Sequence, residues 1–182
     1  MIRLFVALKI PPQIRQTLLE TCRKLSPDQD NFRWENTDKI HLTLKFIGEV
    51  DENLLEAIKT ELDFVKNYHS FNCSISKFDF FFKNREPKIL WVNLKTNDSV
   101  FKLVNELNSR LEKFSIPAEK RKFKPHLTML RLKKYPGGKF IQSFKNYKIE
   151  NMNFIADEIA LIQSELRRTG AVYTEIKNYK LI

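Results

Sequence analysis

The tripeptide His-Leu-Thr occurs twice in this chain of 182 residues, at positions 41–43 and 126–128. Each copy lies in a short apolar run that is typical of a β-strand. Side chains alternate between the two faces of a strand, so the histidine and threonine of each copy share one face, roughly 6.6 Å apart along the strand. Any fold of this chain has to place two such strands, each with a polar pair on one face and a leucine on the other.

The segments that precede the two tripeptides correspond as well. In each half of the chain, a predicted strand is followed by a helix with an apolar stripe and then by the strand that carries the tripeptide. The interval from a leucine in the first strand to the histidine is 37 residues in one half and 36 in the other. The spacing predicts a duplicated strand–helix–strand unit, over about 2–47 and 89–132.

Alternating and helical patterns along the rest of the chain complete the predicted fold. Strands are predicted at 2–9, 41–47, 71–82, 89–95, 126–132, 147–154, 158–163 and 171–177. Helices are predicted after the prolines at 11 and 12, over 54–65, and from Asp98 or Ser99 to Phe114, and 28–31 is predicted as a polar connection. We therefore expect an α+β fold: one bilobal domain over 1–182, with two pseudo-symmetric lobes of largely antiparallel sheet, helices packed outside and a central cleft.

The charge of the chain favours an anionic partner. The formal net charge is +10 and the isoelectric point is about 9.6, although a merely solubilising surface would also be basic. The distribution favours the first interpretation, because many basic residues surround His126 in the sequence. These are Lys120, Arg121, Lys122, Lys124, Arg131, Lys133, Lys134 and Lys139. A positive field at this point predicts a substrate that carries phosphate.

Cysteine usage and hydropathy bear on where the protein resides. Cys22 and Cys73 do not form a metal-binding pattern and both lie in predicted regular structure, so we expect buried, reduced thiols and a cytoplasmic protein. No apolar run approaches the roughly 20 residues that a membrane span needs, and residues 1–9 lack the cleavage site of a signal peptide. We therefore expect no membrane partner, and a monomer by default.

Two histidines that face one cleft could act as an acid and a base, because imidazole gains and loses a proton near neutral pH. Opening a cyclic phosphodiester requires both roles: water is deprotonated as it attacks phosphorus, and the departing oxygen is protonated. The hydroxyl groups of Thr43 and Thr128 could donate hydrogen bonds to the non-bridging oxygens. A two-histidine zinc site is an alternative, although no third ligand stands at a suitable spacing. An RNA-binding module without turnover would use the same basic surface.

Three runs, Arg3–Leu8, His41–Gly48 and Pro125–Arg131, carry a likeness to a known family. Together with Leu90-Trp91 and the closing segment 164–173, they resemble the two-histidine (2H) phosphoesterase superfamily. Within it, they resemble the RNA 2′,3′-cyclic phosphodiesterases, also described as 2′-5′ RNA ligase-like proteins. The resemblance implies a hydrolysis without metal or cofactor that opens a 2′,3′-cyclic phosphate at the end of an RNA or nucleotide to a 2′-phosphate. Reversible 2′-5′ RNA ligation is a further activity that the likeness leaves open.

The resemblance also assigns roles to individual residues. His41 and His126 would be catalytic, with His126 preferred as the base toward water and His41 as the acid toward the leaving 3′-oxygen, a division that the sequence does not decide. Thr43 and Thr128 would hold the phosphate. Arg131 occupies the place of an arginine that commonly closes the second motif, which would make it a further phosphate-binding residue.

Strict alternation leaves the direction of several neighbouring side chains open. It places Arg131 on the face opposite to His126, so that Arg131 either reaches the phosphate through a β-bulge or braces the fold. Lys45 shares the parity of His41 and is predicted either to line the groove or to be solvated. Phe46 and Phe123 could stack on a base, but we expect both to pack in the core, because the chain has 15 phenylalanines.

Overall fold

The computed structural model describes residues 1–26, 32–150, 152–168 and 170–182, and these form eight strands and four α-helices. In chain order the elements are β1 (Ile2–Lys9), α1 (Pro12–Leu25), β2 (His41–Val50), α2 (Leu55–Glu61), β3 (Phe71–Lys83), β4 (Glu86–Thr96), α3 (Asp98–Leu111), β5 (His126–Arg131), α4 (Gly138–Asn146), β6 (Met152–Ala156), β7 (Glu158–Arg167) and β8 (Gly170–Lys180). The connection predicted at 28–31 lies outside the described residues, as does residue 151 within the strand predicted at 147–154.

The strands form two four-stranded sheets that are antiparallel throughout. The order is β2-β1-β7-β8 in the first sheet and β5-β4-β3-β6 in the second. The two tripeptide strands therefore occupy equivalent edges, β2 beside β1 and β5 beside β4. These two edge strands also lie against each other, which joins the sheets along the side that carries the histidines. The predicted α+β fold with largely antiparallel sheets and two similar lobes is confirmed.

Strand β1, an inner strand of the first sheet, is buried on both faces. In β1, Leu4, Val6 and Leu8 join the main hydrophobic core, which contains residues from both sheets and from the helices. The opposite face of β1 presents Phe5 and Ala7 to a second, smaller apolar cluster with residues of β7. A strand with an apolar run on both faces is expected at the centre of a covered sheet. The small cluster forms the apolar floor beneath His41.

Each tripeptide strand contains a β-bulge directly after its threonine. In β2, Thr43 pairs with Ala7 and Lys45 pairs with Val6, so that Leu44 is the extra residue. In β5, Thr128 pairs with Trp91 and Leu130 with Leu90, which makes Met129 the extra residue. A bulge reverses the alternation of the side chains beyond it. The fifth residue after each histidine therefore lies on the same face as that histidine.

Lys45 is directed away from the histidine face by this bulge, and the expectation that it lines the groove or is solvated is wrong. The residue is only 4% exposed. Its Nζ donates hydrogen bonds to Asn108 Oδ1 at 2.7 Å, on α3, and to the Pro117 carbonyl at 2.6 Å. Burial lowers the pKa of this amine. Lys45 thus fastens β2 to α3 and to the segment that follows α3.

Several predicted boundaries differ from those in the structure. The strand predicted at 41–47 continues to Val50, because Gly48 adopts a φ of +87° that glycine accepts while still pairing with Leu4. The helix predicted over 54–65 divides into α2 and a 3₁₀ turn at Leu62–Asn67. Asn97 occupies the N-cap position of α3, for which Asp98 or Ser99 was predicted, and the helix itself begins at Asp98.

Helix α4 was not expected from the sequence, since two glycines begin it. Phe140 and Phe144, one helical turn apart, bury its apolar face against β3.

The strand predicted at 147–154 is the shorter β6. Cys22 and Cys73 are free and buried, as predicted, and burial raises the pKa of the Cys73 thiol to about 12.

Replacing Lys45 by Met should destabilise the fold. The methionine keeps most of the aliphatic stem but leaves the Pro117 carbonyl without its buried donor, which costs about 1–3 kcal/mol of unfolding free energy. Urea denaturation monitored by tryptophan fluorescence measures the change. Lys102→Met, on the exposed surface of α3, is the matched control and should shift stability by no more than about 0.5 kcal/mol. A Lys45→Met protein as stable as the control would contradict this role.

Candidate active site

His41 begins β2 and is held by two aromatic rings. Its imidazole stacks on Phe5 with a centroid separation of 5.0 Å and an interplanar angle of 28°. Tyr173, on β8, meets the imidazole edge-on at 5.7 Å. The backbone of Lys39, two residues before His41, favours the charged form of the ring, although no described group completes a well-aligned hydrogen bond to the buried Nδ1. Strands β1 and β8 therefore fix the orientation of this side chain.

His126 begins β5 and has equivalent surroundings. Phe81 meets its ring edge-on at a centroid distance of 4.9 Å, and Trp91 lies at 5.9 Å. Its Nδ1 lies 2.7 Å from the carbonyl oxygen of Lys124, again two residues earlier. A carbonyl can only accept, so Nδ1 carries the hydrogen and Nε2 of the neutral ring is left with a lone pair. That tautomer can take up a proton from a ligand.

Electrostatic interactions show that the two histidines lie near one another. The charge of His126 lowers the pKa of His41, and the charge of Arg131 lowers the pKa of both. Arg131 also acts on Tyr173, the ring that contacts His41. The two strand starts thus converge on one region, as the duplicated spacing predicted. Arg131 lies within electrostatic reach of both imidazoles.

Burial keeps both histidines neutral at pH 7. Desolvation is the main cause for each ring, and it lowers the pKa of His41 to about 4. The pKa of His126 is also below its ordinary value of 6.5, with the charge of Lys124 contributing. The backbone carbonyls oppose these shifts in both cases. An anion that binds in this basic region would favour the protonated forms of both imidazoles and so raise their pKa values.

Thr43 and Thr128 lie two residues after the histidines and on the same faces. Thr43 pairs with Ala7 and Thr128 with Trp91, so both are held by the central strands of their sheets. Both side chains are half-buried. Within the described part of the chain, neither hydroxyl group has a hydrogen-bond partner. Both can therefore donate to a ligand placed between the histidines.

Arg131 reaches the histidine face because of the bulge at Met129. Its side chain is 62% exposed, and its Nε lies 3.4 Å from Glu35 Oε1. The backbone N–H of Glu35 donates to the Met129 carbonyl, so the bulge itself holds this carboxylate beside the arginine. Of the two arrangements left open by the sequence, the structure has the one in which a bulge re-aims Arg131 toward the histidines.

Phe46 occupies the equivalent position in β2, and the expectation that it packs in the core is wrong. Its side chain is 62% exposed, because the bulge at Leu44 turns it outward. It contacts Phe5 with a centroid distance of 6.2 Å. Phe123, by contrast, is partly buried and packs against the core, as expected.

Tyr173 also belongs to this region, although neither His-Leu-Thr motif points to it. It contacts both Phe5 and His41, and burial raises the pKa of its hydroxyl group. The signal available in the sequence was its place in the closing segment 164–173, without any indication that β8 would lie beside β7 in the first sheet.

In the described residues, no three His, Cys, Asp or Glu side chains cluster closely enough to hold a metal ion. Among those residues there is also no helix of the length and hydrophobicity that crossing a membrane requires.

Similar proteins share one name over nearly the whole length of the chain. A protein from Thermotoga maritima named RNA 2′,3′-cyclic phosphodiesterase is 28% identical over 172 residues, which cover 94% of this chain and 91% of that protein. A protein of the same name from Methanothermobacter thermautotrophicus is 25% identical over 185 residues and 99% of both chains.

Solved structures share the fold. TT0787 of Thermus thermophilus superimposes with a TM-score of 0.82 at 23% identity, over 98% of this chain and 97% of that one. Apo LigT of E. coli gives a TM-score of 0.78 at 24% identity, over 99% and 97%. The family model described as LigT like Phosphoesterase matches residues 8–91 and 93–173. Because that match includes both histidine strands and most of the sequence between and around them, the chain belongs to the LigT-like phosphoesterase family.

Proposed function

We propose that this protein hydrolyses 2′,3′-cyclic phosphates at RNA ends to 2′-phosphates, with His41 and His126 as its acid–base pair and without a metal ion. The observation that carries the proposal is the convergence of two neutral histidines, each accompanied by a threonine hydroxyl group that is free to bind a ligand. Relatives that match most of the chain are named RNA 2′,3′-cyclic phosphodiesterases. That name supports the same substrate for this chain.

The reaction uses one histidine on each side of the phosphorus. One imidazole accepts a proton from water as the water oxygen forms its bond to phosphorus. The bond from phosphorus to the 3′-oxygen breaks, and the other imidazole donates its proton to that oxygen. The product has a 2′-phosphate and a 3′-hydroxyl group, and exchange with solvent returns both histidines to their starting states.

Thr43, Thr128 and Arg131 would stabilise the charge that develops on the non-bridging oxygens. Hydroxyl donors that are already positioned cost no rearrangement during the reaction. Glu35 holds Arg131 on the same face as His126, and this position supports a role for the guanidinium group in binding the phosphate. The pairing with Glu35 limits the motion of an otherwise exposed guanidinium group.

The order of the two pKa values favours His41 as the base and His126 as the acid. Burial lowers the pKa of His41 further than that of His126. In the singly protonated free enzyme, the proton therefore resides mainly on His126, and His41 is ready to accept one. This division is the reverse of the sequence-based preference.

Turnover should continue in EDTA. An oligoribonucleotide ending in a 2′,3′-cyclic phosphate is incubated with the protein, and the end products are identified by mass spectrometry and by phosphatase sensitivity. We expect a 2′-phosphate, and a loss of several orders of magnitude in kcat for His41→Ala and for His126→Ala. His69→Ala, at an exposed histidine outside this region, is the matched control and should retain full activity.

Other outcomes of the same assay would contradict the proposal. Turnover that appears only with added metal would exclude the metal-independent mechanism. Binding of the oligonucleotide without hydrolysis, unchanged in the histidine variants, would indicate an RNA-binding module. Joining of the cyclic end to a 5′-hydroxyl end in preference to hydrolysis would indicate a ligase.

The pH dependence should be bell-shaped with an acidic optimum. The reactive form carries one proton on the histidine pair, so kcat/KM falls below about pH 4, where His41 becomes protonated as well. As the pH rises, the acid His126 loses its proton before pH 6.5 is reached, because its pKa lies below that ordinary value. Above pH 6.5 we expect kcat/KM to fall about tenfold per pH unit. Initial rates at constant ionic strength test this, and a plateau up to pH 8 would contradict it.

Sulfur at the leaving position distinguishes the acid from the base. A cyclic substrate with sulfur in place of the 3′-oxygen expels a thiolate, whose conjugate acid has a pKa of about 8.5 and which needs no proton donor. We expect this substrate to reduce the defect of His126→Ala by at least about 100-fold and to leave that of His41→Ala unchanged. Rescue of His41→Ala instead would restore the opposite division.

A further inference from the structure

A large groove opens next to the histidine pair. Arg131 and Tyr173 belong to its wall and also to the surroundings of the histidines. The rest of the wall comes mainly from the segment between β5 and α4, from the hairpin of β7 and β8, and from residues 32–36. Its volume is about 1130 Å³. A site for one small molecule typically occupies about 300–1,000 Å³, so the groove has more room than a single nucleotide needs beside the histidines.

The wall of the groove is strongly basic. Among its described residues, eight are lysine or arginine and one, Glu35, is acidic. Lys133, Lys134, Lys139 and Arg168 are exposed and form no ion pair with any described residue. Surface charges of one sign that are left unpaired raise the energy of the folded protein, and a bound polyanion would neutralise them.

Aromatic side chains lie among these charges. Tyr135 is 61% exposed and stands between Lys134 and the start of α4. Phe32 and Trp34 lie at the base of the same wall, where they pack against Phe140 and Phe144 of the core. Cationic side chains that follow a backbone, with aromatic faces on which bases stack, are the usual features of a surface that binds single-stranded nucleic acid.

We propose that this groove binds the nucleotides that precede the cyclic phosphate in an RNA chain. The proposal rests on the function proposed above, since it takes the histidine pair as the position of the cyclic end. A 2′,3′-cyclic phosphate ends the chain on its 3′ side, so the polymer continues only through the 5′-oxygen of the terminal ribose. The groove adjoins the site at Arg131 and Tyr173 and provides the positive charge for the preceding phosphates.

This arrangement makes the protein an enzyme of RNA chains rather than of cyclic mononucleotides. A mononucleotide would contact the histidines and threonines but leave the lysines of the groove unused. Each additional phosphate that reaches a lysine or arginine releases counterions and strengthens binding. The value of kcat/KM should therefore increase with chain length until the groove is filled.

The experiment compares 2′,3′-cyclic CMP with oligoribonucleotides of two, four and eight residues that all end in the same 2′,3′-cyclic nucleotide. We expect kcat/KM to be at least about tenfold higher for the longest than for the mononucleotide at low salt. The double variant Lys133→Gln/Lys134→Gln should lower the ratio of the two kcat/KM values by about tenfold. It should also reduce the salt slope for the long substrate by about 1.4, since each neutralised phosphate of a single strand contributes about 0.7.

Lys77→Gln/Lys102→Gln is the matched control, because it removes the same charge from exposed positions that do not line the groove. The control should leave the length dependence and the salt slope unchanged. Equal rates on all lengths, or equal effects of the two double variants, would overturn the groove proposal while the hydrolytic function stands. Absence of hydrolysis on every substrate would instead refute the function itself.

Discussion

One extra residue directly after the threonine of each histidine-bearing strand determines which side chains share the face of the histidines. Leu44 in β2 and Met129 in β5 interrupt the pairing with the neighbouring central strand directly after the threonine. Both bulged residues remain buried, so the polar pair before the bulge stays on its face and the fifth residue after each histidine joins it. The two halves thereby present different side chains at this place, an exposed phenylalanine in one and an arginine in the other.

The chemical environments of the two histidines differ in a similar way. His41 lies against Phe5 and Tyr173. His126 lies beside Phe81 and Trp91, with the Lys124 ammonium 4.1 Å from the centre of the indole ring. Equivalent positions in a duplicated fold thus have different surroundings. Different surroundings are one means by which a protein prepares two titratable groups for opposite roles in proton transfer.

The sequence predicts the fold class and the pairing of His41 with His126 because both follow from a repeated pattern. It does not place the bulges, since alternation assumes one residue per pairing position, and the direction predicted for Lys45 was therefore wrong. The core position expected for Phe46 from the abundance of phenylalanine was wrong as well. Tyr173 was not selected because it comes from a hairpin that returns to the first sheet. Contacts between distant segments depend on strand order, which local patterns do not determine.

The order of strands in the first sheet has a consequence for biosynthesis. Strand β1 is made first and lies between β2 and β7, while β7 begins only at Glu158. Until the ribosome has added that segment, one side of β1 lacks its hydrogen-bonding neighbour, and Phe5 and Ala7 lack the cluster that covers them. An apolar strand with an open edge readily pairs with other chains. The nascent protein thus exposes an edge open to aggregation until β7 pairs with β1.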